Sequence, residues 1–139
     1  MATTTATITL SSSDIADNAL NISNTATLYT AGTDTGITET TGLARKKTNS
    51  GSNTVLLDSG AGVAADVTAD KSAKVYIKNV NDRGDGTKYV SILLTAVEIG
   101  RLYGGDWMFI PWAGGSGKDI EFTASDTTET TLEYVVFYE

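Results

Sequence analysis

The sequence predicts an all-β fold, specifically a jelly-roll-like antiparallel β-sandwich with an extended N-terminal arm. Short runs of alternating apolar and polar residues recur along the chain, and clusters of Gly, Asn, Asp and Ser separate them roughly every ten residues. No stretch places apolar residues at helical spacing over a useful length. About eight short strands with such turn signals are typical of a sandwich or barrel. At 139 residues, the chain is long enough to bury a core as one domain.

The first part of the chain carries few large apolar residues. Residues 7–10 alternate as a half-buried strand does, and residues 21–29 do so more weakly. From residue 30 to residue 53 the alternation is lost among Thr, Gly, Asp and Asn, which favours a functional segment, a disordered segment or a long extended arm. We therefore predict that residues 1–53 form a light, partly extended arm.

Residues 54–139 are predicted to form the main core of a single β-sandwich domain that spans residues 1–139. Strands are expected at residues 55–57, 74–80, 89–94, 119–123 and 131–138. A turn cluster joins the second and third of these strands, so they are predicted to pair as a β-hairpin. The strand at 131–138 is too apolar for a free edge, and we expect it inside a sheet.

Residues 99–112 hold both tryptophans, Trp107 and Trp112, and the only proline. Gly104-Gly105-Asp106 divides this stretch with residues that favour turns. A second β-hairpin is therefore predicted, with the largest apolar side chains of the protein on it. We expect its aromatic rings to lie in the core or at a subunit interface. Stacking on a carbohydrate would instead require Trp107 or Trp112 to be exposed on a flat face.

The composition argues against several kinds of chemistry. The chain has no histidine and no cysteine, which removes the Ser-His-Asp relay, thiolate zinc sites and disulfides. We accordingly predict a non-enzymatic protein with no catalytic residue, cofactor or metal site. A net charge of −7 disfavours nucleic acid as a partner, and no secretory signal or membrane-spanning run is recognisable. The basic run Arg45-Lys46-Lys47 is either a solvated loop or a contact for an acidic partner surface.

One motif resembles the active-site loop of retroviral-type aspartic proteases, where Asp58-Ser59-Gly60 follows the apolar pair Leu56-Leu57. Ile99-Gly100-Arg101 resembles an element that lies downstream in that family. The resemblance implies that Asp58 from two copies would share a proton and activate water. Only about forty residues separate the two elements, and no glycine-rich flap with apolar tips lies between them. The other interpretation is a strand end followed by a turn.

A second motif resembles the Gly-Asp…Ile-Pro-x-Gly hairpin of cupin-type jelly rolls, through Gly105-Asp106, Ile110-Pro111 and Gly114. This resemblance implies two strands of a jelly-roll sandwich. Catalytic cupins bind metal mainly through histidines, which this chain lacks, so no metal function is implied. The loop Gly114-Gly115-Ser116-Gly117-Lys118 has neither the remaining residues of a phosphate loop nor a helix after it, and we predict a flexible connection.

Over most of its length, the sequence resembles small virion structural proteins of tailed phages, especially phages of marine cyanobacteria. The likeness lies in residues 2–10, 38–48, 74–79 and 98–112. Such proteins are commonly capsid decoration or cement proteins, or parts of the neck and tail. They are non-enzymatic and assemble in many copies.

The resemblance implies a decoration protein that binds the major capsid protein and copies of itself. We expect a homotrimer on the virion head surface, made in the host cytoplasm, with neither nucleic acid nor membrane as a partner. The arm would contribute Arg45, Lys46 and Lys47 to binding, and Trp107 and Trp112 would set the core or the subunit interface. A phage tail, neck or fibre component is the alternative.

Overall fold

A computed structural model describes residues 3–14, 19–48, 51–59, 73–84, 86, 88–114, 117–126 and 129–139. Across these residues the protein is all-β, and every strand pairing is antiparallel, which confirms the predicted fold class. The chain divides into two compact units, which are Met1–Thr38 and Glu39–Glu139. None of the described residues forms a helix of the length and apolarity needed to cross a bilayer.

The described residues form eleven strands. These are β1 (Thr5–Ser12), β2 (Leu20–Thr27), β3 (Glu39–Thr40), β4 (Ala44–Thr48), β5 (Thr54–Leu57), β6 (Ala73–Asn79), β7 (Tyr89–Leu94), β8 (Val97–Tyr103), β9 (Trp107–Pro111), β10 (Ile120–Ala124) and β11 (Thr130–Tyr138).

The first unit is built on a two-stranded sheet of β1 and β2. Their register runs without interruption from the pair Thr5 and Thr27 to the pair Ser12 and Leu20. An isolated β-bridge between Tyr29 and Gly36 adds one further backbone pairing to this unit, on the C-terminal side of β2. The alternating sequence of both strands gives this sheet two chemically distinct faces, because successive side chains of a strand point to opposite sides.

The second unit is a β-sandwich of a four-stranded sheet, in the order β5-β10-β7-β8, and a five-stranded sheet, in the order β3-β11-β6-β9 with β4 also paired to β11. Buried apolar side chains of both sheets form one core. They are Leu56, Leu57, Val90, Ile92, Leu102, Ile120 and Phe122 from the four-stranded sheet, and Ala73, Val75, Ile77, Leu132 and Val136 from the five-stranded sheet. The predicted sandwich is thus confirmed, while the jelly-roll connectivity and the extended arm stay predictions.

Strand β11 lies inside the five-stranded sheet, as predicted from its apolar sequence. It pairs with β6 along one side and with β3 and β4 along the other. The predicted boundary between arm and core at residue 53 stays a prediction, while the second compact unit begins at Glu39. The polar strands β3 and β4 belong to this unit because they pair with β11, and local alternation cannot report such a distant partner.

Both hairpins predicted from turn clusters are wrong. Strands β6 and β7 lie in different sheets, and so do β8 and β9. Each turn cluster therefore carries the chain across the sandwich from one sheet to the other. A turn sequence shows that the chain reverses direction. Whether the two flanking strands pair is decided by which partner covers the apolar face of each strand.

The true hairpin of the four-stranded sheet joins β7 to β8 through Thr95 and Ala96. Both residues have positive φ, 49° and 65°, as the two central positions of a type I′ turn require. Asn-Gly is the usual sequence there, so this turn carried no signal in the sequence. A positive φ is energetically unfavourable for residues that carry a Cβ atom.

We expect the Ala96→Gly variant to be more stable than the wild type by about 1 kcal/mol, because glycine adopts positive φ without the Cβ penalty. The amide of Ala96 donates to Glu121 Oε2 at 2.8 Å, and this hydrogen bond survives the change. Urea unfolding would measure the effect. The matched control is Ala124→Gly at the last residue of β10, where the side chain is buried and its removal should lower stability, so a loss in both variants would contradict the turn argument.

The corner between β8 and β9 is held by Asn79 at the end of β6. The amide of Asn79 donates to the Asp106 carbonyl at 3.0 Å, and the amide of Gly105 donates to the Asn79 carbonyl at 2.9 Å. The Asn79 side chain is buried and donates from Nδ2 to the Leu102 carbonyl at 3.0 Å. Its Oδ1 accepts the amide of Asn81 at 3.1 Å. Asn79 therefore forms hydrogen bonds both with β8 and with the turn that leads into β9, which connects the two sheets at this corner.

Candidate interaction surface

The five-stranded sheet turns an aromatic face away from the core. On β6, Ala73, Val75 and Ile77 are buried in the core, so the alternate residues Tyr76 and Lys78 point outward. The register carries this alternation to the neighbouring strands. We name as the outer face the outward side chains of Arg45, Lys47, Lys74, Tyr76, Lys78, Trp107, Phe109, Glu133, Val135 and Phe137.

Aromatic and aliphatic side chains occupy the middle of the outer face. Tyr76 lies opposite Phe109 on β9 and opposite Val135 on β11. The rings of Tyr76 and Trp107 are neighbours, with centroids 6.2 Å apart and planes inclined by 34°. Trp107 is 49% exposed, which is a large apolar area to leave in water. The apolar side chains around it are half-buried, namely those of Tyr76, Phe109, Val135 and Phe137. An apolar patch that is partly open to water typically marks a binding site.

A row of cross-strand neighbours leads from Trp107 to the opposite side of the sheet. Trp107 lies opposite Lys78, Lys78 opposite Glu133, and Glu133 opposite Arg45. At the usual strand spacing this row spans about 14 Å. Two of the predicted binding residues, Arg45 and Trp107, are therefore brought to the two ends of a single row, although they lie far apart in the sequence.

The cations of β4 lie at the rim of the outer face and pair with carboxylates of the neighbouring strand and turn. Arg45 donates from Nε and Nη2 to Glu133 Oε2 at 3.0 and 2.9 Å. Lys47 Nζ lies 2.7 Å from Glu129 Oε1. Both cationic side chains are 63% exposed, and the pair of Lys47 with Glu129, whose carboxylate is 60% exposed, contributes little to stability. Their charges remain accessible to a partner.

Burial among its neighbours raises the pKa of the Tyr76 phenol, and the negative charge of Glu133 raises it further. The hydroxyl in the middle of the outer face therefore stays protonated throughout the physiological range. It is available there as a hydrogen-bond donor.

Lys46 and Trp112, the other two predicted binding residues, do not lie on the outer face. Lys46 alternates with Arg45 on β4, and its Nζ donates to the Val55 carbonyl. Trp112 is 4% exposed and belongs to the core, where its Nε1 donates to the Lys118 carbonyl at 2.6 Å. Lys46 and Trp112 therefore have structural partners within the sandwich.

Gly114, in the loop after Trp112, lies against the indole ring of Trp112. A Cβ atom at Gly114 would lie 2.8 Å from the ring, so only glycine fits there without movement. Gly115 and Ser116 of the predicted flexible loop lie outside the described residues.

The structure does not bring together the two elements of the protease-like motif. Asp58 follows β5 and Arg101 lies on β8, and these strands are the opposite edges of the four-stranded sheet. The amide of Ser59 donates to Asp119 Oδ1 at 2.8 Å, and the Ser59 hydroxyl donates to the same atom. Arg101 Nε donates to Glu98 Oε1 at 2.8 Å. Gly60 of the motif lies outside the described residues.

Ser59→Ala is expected to lower stability at neutral pH but not in strong acid. The two hydrogen bonds from Ser59, the hydroxyl first and the amide second, lower the pKa of Asp119 below its ordinary 3.8. A carboxylate with a lowered pKa in the folded state stabilises the fold above its unfolded pKa, and this contribution is lost as the pH falls through the folded pKa. The difference in unfolding free energy between wild type and variant should shrink between about pH 7 and about pH 2. A difference that is equal at both pH values would contradict this assignment.

A cavity of about 310 Å³ opens at the end of the sandwich where the Asn79 corner lies. Its lining mixes carboxylates with a cation, among them Asp82, Asp126, Glu129 and Lys88. Lys88 Nζ pairs with Asp126 Oδ2 at 2.9 Å. Within the part of the chain that the structure describes, no group of three or more acidic side chains is placed to hold a metal ion.

Sequence reasoning did not name four apolar residues of the outer face, namely Tyr76, Phe109, Val135 and Phe137, and it covered Phe109 only as part of the aromatic stretch 99–112. A signal for them was present. Residues 75–77, 107–111 and 134–138 are uninterrupted apolar runs on strands, and alternation then places apolar side chains on both faces of the sheet. An uninterrupted apolar run on a strand therefore indicates that one apolar face lies in the core and that a second apolar face points outward.

No protein-family model, no curated protein and no solved structure matches this chain, so its function has to be inferred from the chemistry of these surfaces.

Proposed function

We propose that the protein is a non-enzymatic virion structural protein, a capsid decoration protein that binds the major capsid protein through the outer face. The observation that supports this most is the aromatic centre and cationic rim of that face, on a sheet fixed by the sandwich core. The resemblance to phage structural proteins supplies the identity of the partner. Enzymatic activity is not part of the proposal.

The residue types of the outer face are those that dominate protein interfaces. Tyr, Trp and Arg are enriched among the residues that carry most binding energy. Trp107 and Tyr76 supply large areas that lose little conformational freedom on binding, because the sheet already holds their backbones. The flat arrangement of side chains on a sheet suits a broad protein surface.

The charge of the outer face favours an acidic partner surface. Arg45, Lys47, Lys74 and Lys78 lie on this face with Glu133 between them, although the chain as a whole has a net charge of −7. Opposite local charge directs which side of the molecule meets a partner and raises the association rate. Binding should consequently weaken with added salt.

Capsids purified without this protein provide the direct test, with binding of added protein measured by co-sedimentation. We expect Trp107→Ser to weaken binding by about 30-fold, as an interface anchor does when it is truncated. Val97→Ser, which removes an exposed side chain from the edge strand β8 of the other sheet, is the matched control. Failure of the wild type to bind such capsids would refute the proposal, and microscopy of the virion would distinguish a head location from a tail, neck or fibre.

A carbohydrate-binding function is the second candidate, and the exposure of Trp107 favours it. Trp107 lies on a flat sheet face with Tyr76 beside it, which is the arrangement that stacking on a sugar ring needs. Added sugars should then quench Trp107 fluorescence. Trp107→Phe leaves buried Trp112 as the sole tryptophan, so quenching that persists in this variant would contradict a carbohydrate site.

A further inference from the structure

The β1–β2 sheet of the first unit separates its side chains by chemistry into two faces. The register places Ala6, Ile8, Leu10, Leu20, Ile22 and Ala26 on one side, which we name the hairpin apolar face. Ser12 and Asn24 complete that side. The opposite side carries threonine, serine and asparagine, with hydroxyl hydrogen bonds between Thr7 and Thr25 at 2.8 Å and between Thr9 and Ser23 at 3.3 Å.

The large side chains of the hairpin apolar face are exposed. Ile8, Leu10, Leu20 and Ile22 have between 36% and 52% of their area in water. They make up four of the ten large hydrophobic residues that are exposed within the described residues, and here they lie together on one face. A two-stranded sheet is marginally stable by itself and needs packing against its apolar face. The alternation of β1 and β2 therefore requires an occupant for this face.

The absence of charge on these strands determines the chemistry of that occupant. Neither Thr5–Ser12 nor Leu20–Thr27 contains a charged side chain, whereas the whole chain has a net charge of −7. A partner with charged groups at the contact would bury them without opposite charges, which is costly. A second copy of the same face brings only aliphatic and small polar side chains, and the strands themselves add no like-charge repulsion.

We propose that the hairpin apolar face packs against the same face of a second copy of this chain. Two such sheets stacked about 10 Å apart make a small sandwich, in which Leu10 and Ile22 of one copy meet their counterparts across a twofold axis. The contact is isologous and does not involve the outer face. It is thus independent of capsid binding, and either proposal can fail without the other.

The size of the face sets the expected strength of association. Two strands of eight residues cover about 27 Å by 10 Å, which is smaller than the roughly 800 Å² that each partner gives to a standard interface. The dimer should consequently be weak and dependent on concentration in solution. It would strengthen where many copies are held side by side, since a second contact between linked copies becomes effectively intramolecular.

Sedimentation equilibrium of the full chain tests this with two matched double variants. Leu10→Asp with Ile22→Asp places two carboxylates on the hairpin apolar face at directly opposite positions. Thr9→Asp with Ser23→Asp places two carboxylates at the next register pair, on the opposite side of the sheet, which carries the hydroxyl groups. We expect the first variant to weaken association by at least about 100-fold and the second to keep it nearly unchanged. A wild type that is monomeric up to about 1 mM, or equal effects of the two variants, would overturn the proposal.

A second measurement avoids placing charges on the hairpin apolar face. The chain has no cysteine, so Leu10→Cys and Thr9→Cys can each carry a single pyrene label on opposite faces of β1. Excimer emission that rises with concentration is expected only for the label at position 10, because labels at position 9 would lie on the outer sides of the stacked sheets. Excimer emission from both labels or from neither would overturn the proposal, and the variant Trp107→Ser should leave the signal unchanged.

Discussion

Replacing Gly104 with alanine is expected to lower the free energy of unfolding by about 3 kcal/mol, because the corner between β8 and β9 has no room for a side chain. An added Cβ atom would lie 2.5 Å from the Asp82 carbonyl oxygen and 2.8 Å from the Arg83 amide nitrogen. Both contacts are with backbone, which cannot rotate away as a side chain can. Relief would require the β6–β7 connection to move off the corner.

Gly100→Ala is the matched control for this prediction. Gly100 lies on β8, four residues before Gly104, and a Cβ atom there meets nothing within 4 Å. That variant should be neutral or slightly more stable, since alanine restricts the unfolded chain more than glycine does. Urea unfolding at equal pH and salt would measure both variants, and equal stability of Gly104→Ala and Gly100→Ala would contradict the steric account of the corner.

Asn79→Leu is expected to destabilise the protein by a similar amount, about 3 kcal/mol, because one buried and one partly buried backbone group would lose their partners. Leucine has the same branched arrangement of heavy atoms but can neither donate to the Leu102 carbonyl nor accept the Asn81 amide. Asn79 is 3% exposed, so water cannot replace these hydrogen bonds without opening the corner. The penalty is that of leaving polar groups unsatisfied rather than that of lost packing.

Asn53→Leu provides the comparison for Asn79→Leu. Asn53 is exposed and accepts a hydrogen bond from the Thr123 hydroxyl at 2.6 Å. The Thr123 hydroxyl can bond to water when this partner is removed, so a loss of less than about 1 kcal/mol is expected. Thermal and urea unfolding would rank the two variants. If Asn53→Leu cost as much as Asn79→Leu, burial would not be the reason for the effect at Asn79.

The strands of the sandwich could be predicted from sequence where one face is apolar and the other polar. Residues 119–123 alternate cleanly, and β10 occupies Ile120–Ala124 with Ile120 and Phe122 in the core. Alternation does not report which strand is the neighbour. The turn clusters after β6 and β8 consequently indicated hairpins, although their arms lie in different sheets, and Thr95-Ala96 formed a hairpin turn without the usual glycine.

The outer face could be predicted only in part, for the same reason. Arg45, Lys47 and Trp107 were singled out one by one, from a charge run and from large apolar side chains. Their common face depends on the register of β4, β11, β6 and β9, and register between distant strands is set by the packed core rather than by local sequence. Lys46 was included because it adjoins Arg45, yet adjacent residues of a strand point to opposite sides.

The central place of β11 in its sheet has a consequence for when the outer face comes into existence. Arg45 and Glu133 are 88 residues apart, and β4 finds its partner only after β11 is available. Sheets joined over such distances in sequence fold slowly, on the order of milliseconds to seconds. On a ribosome that adds roughly 5 to 20 residues per second, residues 44–48 wait several seconds for their neighbour. A chain that ends before residue 130 lacks β11, the strand to which both β4 and β6 pair, so the outer face cannot form on it. Under the proposed function, such incomplete copies would be unable to bind a capsid through this face.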